Sequence, residues 1–366
     1  MKLALICRPY SFHGGIETAT AGLMRELLAL GHSLDLISSA GQREVPGVRV
    51  LRVPMLRHPS ALRLLSFALA ARHAVMGAGY EIVQSHERTL TQDIYRAGEG
   101  CHRGYLEAMH RRWARLDPYH RLVISLEKRI FTLKSARHIV AISNRGKAEI
   151  ERWYATSPGR ISVVYNGVDL ERFHPDNRER LRKPVRDEWG IADDAWTVLF
   201  VGSGFERKGL GQLIDAMSRL ADRQSRLIVA GKGDTRPYRA LAAKLELTGR
   251  VHWTGPVERI ERLYAAADAV ALPTRYEPFG NVHLEALASG VPVLTNATAG
   301  GAEVIHSGDN GWVIPAVEAA QIAKGLEALR AARAAPLSAR ARASAEPFTF
   351  MAQANRYTAL YHQVGA

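Results

Sequence analysis

Short runs of apolar residues that do not alternate with polar ones recur along this chain, and each is followed by a stretch with helical spacing. A strand that is apolar at every position must be covered on both faces, as in a parallel sheet sandwiched between helices. In the first half, strand-like runs fall at 2–7, 33–37, 48–53, 81–85, 138–142 and 161–164, with helical spacing at 16–30, 61–78, 122–133 and 144–153. The second half repeats the rhythm, with strands at 197–202, 226–230, 251–254, 269–272 and 291–295 and helices at 210–220, 238–247, 260–267 and 282–289. The pattern predicts an α/β protein of two doubly wound, Rossmann-like parallel-sheet domains. The turn Asn166-Gly167-Val168-Asp169 and the charged stretch 172–195, which holds Pro175 and Pro184, read as the junction and linker. The expected division is 1–170, 171–345 and a last helix over 346–366.

A chain of 366 residues suits two cores better than one. Cys7 and Cys101 form no disulfide framework and no metal-ligand spacing, which fits a reducing compartment. The apolar run after Lys2 is broken by Arg8, too early for a signal segment, and 64–71 lies between Arg63 and Arg72, far short of the ~20 residues a membrane span needs. A soluble protein is expected. Charge is uneven: residues 1–165 carry 24 Lys and Arg against 13 Asp and Glu, and the remainder 25 against 23. The first half therefore faces something anionic.

Ligands of open parallel sheets sit at the carboxyl ends of the strands, so with two such domains the expected site is the cleft between them. After the strand at 197–202 comes Ser203-Gly204-Phe205-Glu206-Arg207-Lys208-Gly209 and then a helix. Two fixed cations at a helix start make an anion site that suits a pyrophosphate. The segment is neither a dinucleotide fingerprint, since Arg207 stands where glycine is needed, nor a phosphate loop, since no Gly-Lys-Ser/Thr occurs. No Asp-x-Asp pair suggests a metal-held diphosphate, so no metal site is expected. After the strand at 269–272, Glu277-Pro278-Phe279-Gly280-Asn281 leads into a helix carrying Glu285. Two carboxylates eight residues apart, one in the loop and one a turn into the helix, suit paired sugar hydroxyls, with loop N–H groups donating back. The bland alternatives are a solvated helix start for Arg207 and Lys208, a dipole-stabilised carboxylate for Glu277 and an exposed helix face for Glu285.

Together, Arg207-Lys208-Gly209 and Glu277-Pro278-Phe279-Gly280, followed by Glu285-Ala286-Leu287-Ala288-Ser289-Gly290-Val291-Pro292-Val293, resemble the signature of retaining glycosyltransferases of family four, which have the GT-B fold. Gly300-Gly301-Ala302-Glu303 and Asn310-Gly311-Trp312-Val313 continue the likeness. Phe12-His13-Gly14-Gly15-Ile16-Glu17 is similar to the family's glycine loop, and Val164-Tyr165-Asn166-Gly167-Val168-Asp169 to its domain-joining turn. The resemblance implies that Arg207 and Lys208 bind the diphosphate of a nucleotide-sugar donor and neutralise the leaving group. It gives Glu285 the ribose, and gives Glu277 and the loop Pro278-Phe279-Gly280-Asn281, through the N–H groups after Phe279, the sugar. Gly14, Gly15 and Glu17 would approach the phosphates, and Gly255-Pro256-Val257 would meet the base. Pro278 departs from the small residue common at its position. The donor, UDP-glucose by this reading, is a substrate, and no cofactor is implied. Cations at the diphosphate stabilise the charge separation as the anomeric bond breaks, and retention would follow from attack on the same face.

A narrower likeness covers Asp93 to His102 and the basic stretch after it, which resemble bacterial lipopolysaccharide-core glucosyltransferases. It implies that Glu99 lies near the acceptor and that His86, after the strand at 81–85, is an active-site histidine; an ordinary loop histidine is the other reading. Arg103, Arg111, Arg112, Arg115, Arg121, Lys128, Arg129 and Lys134, interleaved with Tyr105, Trp113, Tyr119 and Phe131, suit a glycan or phosphorylated lipid-linked acceptor, or an anionic leaflet. The expected place is the cytoplasm, with peripheral attachment to the inner face of the membrane. Alternatives are another family-four transfer (mannosyl, galactosyl or N-acetylhexosaminyl), a pyridoxal-dependent phosphorylase, or a binding module without turnover. Nucleic acid is not an expected partner, because the basic half lacks RNA-binding aromatics and zinc-finger spacing.

Overall fold

The computed structural model describes residues 1–9, 15–132, 135–332 and 335–365. It divides into two compact units, one of Met1–Gly167 together with Phe350–Ala366, the other of Val168–Thr349.

The first unit is built on seven strands: β1 (Lys2–Ile6), β2 (Ser33–Ser39), β3 (Arg49–Val53), β4 (Ile82–Ser85), β5 (Ile94–Ala97), β6 (His138–Ala141) and β7 (Ile161–Val163). All pairs are parallel, in the order β3-β2-β1-β4-β5-β6-β7. Leu3, Ala4, Leu5 and Ile6 are all buried, so β1 is covered on both faces, as its unbroken apolar run requires. On one face, Leu23 and Leu27 of helix Gly15–Ala29 share a core with Ala354, Tyr357, Leu360 and Tyr361 of helix Phe350–Gly365. The other face packs Phe67, Ala71 and Val75 of helix Ser60–Val75. The Phe350 ring fills the space left by two glycines, since a Cβ on Gly22 or Gly167 would come within 2.6 or 2.5 Å of it.

The second unit has six parallel strands, β8 (Thr197–Val201), β9 (Arg226–Ala230), β10 (Val251–Gly255), β11 (Ala269–Leu272), β12 (Val293–Asn296) and β13 (Gly311–Ile314). Their order is β10-β9-β8-β11-β12-β13. In each sheet the winding reverses once, between β1 and β4 and between β8 and β11. The loops leaving those paired strands diverge to opposite faces and leave a crevice at their carboxyl ends.

Several stretches differ from the expectation, among them helices His102–Ala108, Ala319–Ala331 and Ala335–Ala345, which the sequence pattern does not predict. Residues 94–97 form the interior strand β5, which the expected strand pattern does not include. The run is only four residues long and is interrupted by Arg96, which is buried and donates to Asn166 Oδ1 at 2.7 Å. β13, begun by Gly311, was likewise passed over. The supposed linker contains a helix, Asn177–Glu188, with Pro184 inside it. Its charge is structural: Arg178, Arg182 and Arg186, spaced four apart on one helix face, all reach Asp268, at 2.7, 2.8 and 2.7 Å. Arg186, fully buried, also donates to the carbonyls of Ala192, Asp193, Ala195 and Ala266 at 2.9 to 3.1 Å. Asp268 in turn accepts the Thr197 N–H at 2.9 Å, which ties this helix to the start of β8. Burial works against ionised Asp268, and the three guanidiniums outweigh it and lower its pKa.

Replacing Asp268 with alanine strands the buried Arg186 charge, and about 3 kcal/mol of unfolding free energy should be lost from the second unit. Denaturant titration reads this directly, and a change below about 0.5 kcal/mol would show that the carbonyl ring alone holds Arg186.

Candidate functional site

At the reversal of the second sheet, the loop after β8 carries Arg207 and Lys208 and the loop after β11 carries Glu277. Gly209 joins the first loop to helix Leu210–Arg219 with φ 72°. A Cβ there would lie 1.9 Å from the Pro273 carbonyl oxygen, so only glycine lets the two loops run this close. Arg275 N–H donates to the Arg207 carbonyl at 2.8 Å, and the buried Thr274 hydroxyl reaches the same oxygen at 3.1 Å. The loops are thus cross-tied through their backbones.

Their side chains converge. Lys208 Nζ and Arg207 Nη1 lie 2.8 and 3.0 Å from the same oxygen, Glu277 Oε2, and Arg207 also donates to the Tyr276 carbonyl at 2.6 Å. The Lys208 side chain is 9% exposed, Glu277 12% and Arg207 28%, so the guanidinium is the member most open to solvent. Burial raises the Glu277 pKa, but the charges and hydrogen bonds of Lys208 and Arg207 prevail and hold it at about 2. An ionised carboxylate with two cations leaves a net positive site whose donors are already oriented.

Behind it, Gly280 turns the chain with φ 85°. Gly300 N–H donates to the Glu277 carbonyl at 2.9 Å, which brings the loop after β12 alongside. His283 lies fully buried between the Gly280 carbonyl, 2.7 Å from Nδ1, and the Thr295 hydroxyl, 2.9 Å from Nε2. Burial lowers its pKa to about 4, so it is a neutral brace, with Nδ1–H donating to the carbonyl. Glu285 accepts the Tyr264 hydroxyl at 2.7 Å, and burial raises its carboxyl pKa against that bond. Pro278 and Asn281 are half-buried and Phe279 is fully buried, so Phe279 anchors the loop from inside. Gly255, with φ 67°, ends β10 at the sheet's edge strand, and half-buried Val257 follows it.

At the reversal of the first sheet, Arg8 follows β1, His86, Glu87 and Arg88 follow β4, and Glu99 follows β5. Arg8 pairs with Glu87 at 2.8 Å and with Glu99; Arg88 pairs with Glu99 at 2.5 Å and with Glu127 at 2.9 Å. Glu127, wholly buried on helix Pro118–Thr132, also accepts the His102 N–H at 2.9 Å and the Tyr154 hydroxyl at 2.7 Å. Burial disfavours the Glu99 carboxylate, but Arg88 and Arg8 hold its pKa at about 2. Glu99 is therefore an ionised hydrogen-bond acceptor, not a proton donor. His86 is buried, and its imidazole is kept neutral by burial and by the nearby Arg96 charge. Gly14 lies outside the described residues; Gly15 opens helix Gly15–Ala29, which includes Glu17.

Of the residues singled out from sequence, the structure brings Arg207, Lys208 and Glu277 into direct contact and sets Gly280 and Glu285 on the same loop and helix. It sets His86 and Glu99 at the corresponding reversal of the other sheet. Sequence reading missed Tyr264 and His283, and in the first unit Arg8, Glu87, Arg88 and Glu127. The histidine inside the apolar helix Val282–Ala288 was the one visible signal. The others are partnered across 11 to 91 residues, through contacts that no local pattern spans.

Residues 13–172 match the family profile described as Glycosyltransferase Family 4, and residues 182–346 match Glycosyl transferases group 1. The chain is 25% identical over 318 residues to the lipopolysaccharide glucosyltransferase WaaG of Escherichia coli, covering 86% of this chain and 85% of that one. It is 30% identical over 373 residues to a D-inositol 3-phosphate glycosyltransferase of Xylanimonas cellulosilytica, covering 92% and 88%. The crystal structure of a WaaG, a glycosyltransferase involved in lipopolysaccharide biosynthesis, superposes with a TM-score of 0.85 over 98% of this chain and 99% of that chain. That of Anabaena Alr3699/HepE in complex with UDP-glucose superposes at 0.78 with 18% identity, over 99% and 100%. The two parallel sheets are the domains of the GT-B fold, and the chain belongs to glycosyltransferase family 4.

Proposed function

We propose that this glycosyltransferase moves a hexose, glucose from UDP-glucose, to a lipopolysaccharide-core or related cell-surface acceptor, retaining the anomeric configuration and using no metal. The observation that carries the reading is the convergence of Lys208 and Arg207 on Glu277 at the strand-order reversal. In this proposal the two cations bind the donor diphosphate and stabilise the negative charge that develops as the anomeric bond breaks. Glu277 fixes their positions and, with the N–H groups at Phe279, Gly280 and Asn281, takes the sugar hydroxyls. Glu285 takes the ribose, and Gly255 and Val257 the base. On the first unit, Glu99 serves the acceptor in this reading and His86 acts as an active-site histidine. The likeness to WaaG supports glucosyl transfer into lipopolysaccharide, and HepE shows a GT-B protein bound to UDP-glucose. The inositol-phosphate relative favours a second reading, another sugar moved to a phosphorylated small acceptor.

Among the described residues no helix is long and apolar enough to cross a membrane. The proposed membrane contact is peripheral, through the basic stretch, where Trp113 is 85% and Leu116 71% exposed. It acts in the cytoplasm on the inner leaflet, and each near-surface cation contributes about 1 kcal/mol.

Calorimetric titration with UDP, UDP-glucose and GDP-mannose in chelator tests the donor site. The uridine ligands should bind, and Arg207→Ala/Lys208→Ala should weaken them at least about a hundredfold while the far-ultraviolet spectrum is kept. Preference for GDP-mannose would replace the donor, and no binding of any nucleotide would sink the assignment.

Because Glu277 titrates near 2 in the folded protein against an ordinary value of 4.5, its ionised form contributes stability that is complete above about pH 5 and disappears as pH falls toward 2. Glu277→Gln should therefore lower stability at pH 7 by about 3 kcal/mol and flatten its decline between about pH 5 and 3. An acid limb as steep as that of the unaltered protein would show that Glu277 does not carry this ion pair.

A further inference from the structure

The helix that ends the first unit reaches its sheet reversal. Tyr361, on helix Phe350–Gly365, donates its hydroxyl to Gln84 Oε1 at 2.7 Å, across 277 residues of sequence. Gln84 is on β4, and its Nε2 lies 2.8 Å from His86 Nε2. On the other side of the ring, His86 Nδ1 faces the Thr20 hydroxyl of helix Gly15–Ala29 at 3.4 Å. Gln84, His86 and Tyr361 are all buried, with Gln84 at 1% exposure and Tyr361 at 0%.

The order of protons along this chain is set by its donors. With the Tyr361 hydroxyl donating to the amide oxygen, the amide nitrogen is left to donate onward. A nitrogen that receives an amide N–H must present its lone pair, so His86 Nε2 is unprotonated and the proton sits on Nδ1. We infer that Tyr361 and Gln84 are positioning residues that hold His86 as the neutral Nδ1–H tautomer, so that it offers a hydrogen bond from Nδ1 on the side of helix Gly15–Ala29. This deepens the reading of His86 as an active-site residue and rests on it for its catalytic consequence. The tautomer itself stands on the hydrogen bonds alone.

Two variants with opposite expectations test it. Tyr361→Phe keeps the ring and removes the hydroxyl that orients the amide. Gln84→Glu puts an acceptor-only carboxylate against Nε2, which should move the proton to Nε2. Nitrogen-15 spectra of histidine-labelled protein, with His86 assigned by His86→Gln, should show Nδ1 protonated and Nε2 unprotonated at neutral pH. The reverse is expected in Gln84→Glu, and a mixture in Tyr361→Phe. Turnover with the donor identified by titration should fall about fivefold in Tyr361→Phe at unchanged donor KM, with a thermal midpoint lowered by a few degrees as Gln84 Oε1 loses its donor. An Nε2–H signal in the unaltered protein, or a Gln84→Glu spectrum identical to it, overturns the inference. If the tautomers shift as stated and no donor is turned over, the relay stands and the transferase reading fails.

Discussion

A parallel sheet has no hairpins, so its strands are joined by crossovers, most of them carrying a helix that covers one face. A sheet covered on both faces must reverse its winding once. That constraint is met twice here, at β1/β4 and at β8/β11, and in each unit the reversal is where charged side chains from two loops can meet without crossing a covering helix. In the second unit the meeting is Lys208 and Arg207 on Glu277; in the first it is Arg8 on Glu87, with Glu99 from the loop after β5 joining Arg8 and Arg88. The donor and acceptor machinery of the proposed reaction is one topological solution used on two sheets.

Charge serves different ends at the two edges of the second sheet. At the amino ends of β8 and β11, Asp268 gathers three arginines from one helix, and the buried guanidinium of Arg186 also closes the carbonyls around it. Arg178 and Arg182 likewise donate to the carbonyls of Ala267 and Ala266, so all three guanidiniums tie the helix to the chain around Asp268. At the carboxyl ends a single carboxylate is shared by two cations, one of them more than a quarter exposed, so positive charge remains in excess. The same ion-pair chemistry gives a structural knot at one end and the proposed donor site at the other.

The alternation of strands and helices was legible because burial on both faces writes itself into unbroken apolar runs such as Leu3 to Ile6. The strand β5 escaped because its third residue, Arg96, is buried by pairing with Asn166, a contact invisible in a local window. The helix Asn177–Glu188 read as linker because a surplus of arginine resembles a solvated segment until Asp268, some ninety residues away, is found beneath it. The signature residues Arg207, Lys208, Glu277 and Glu285 could be named in advance from their loops and spacing. Their braces, Tyr264, His283 and Thr274, are ordinary residues whose roles arise only from the folded geometry.

The position of Phe350 between Gly22 and Gly167 has a consequence for how the molecule is made. The first unit includes a helix that emerges only after the whole of the second has been synthesised, roughly ten to forty seconds later at cellular elongation rates. Until then the apolar face of β1 and of helix Gly15–Ala29 that will receive Tyr357, Leu360 and Tyr361 stays open to water. The second unit, continuous in sequence, is complete first. On the ribosome, then, the nascent chain carries its finished half behind an unfinished one, and the amino-terminal unit is the one with most need of a chaperone.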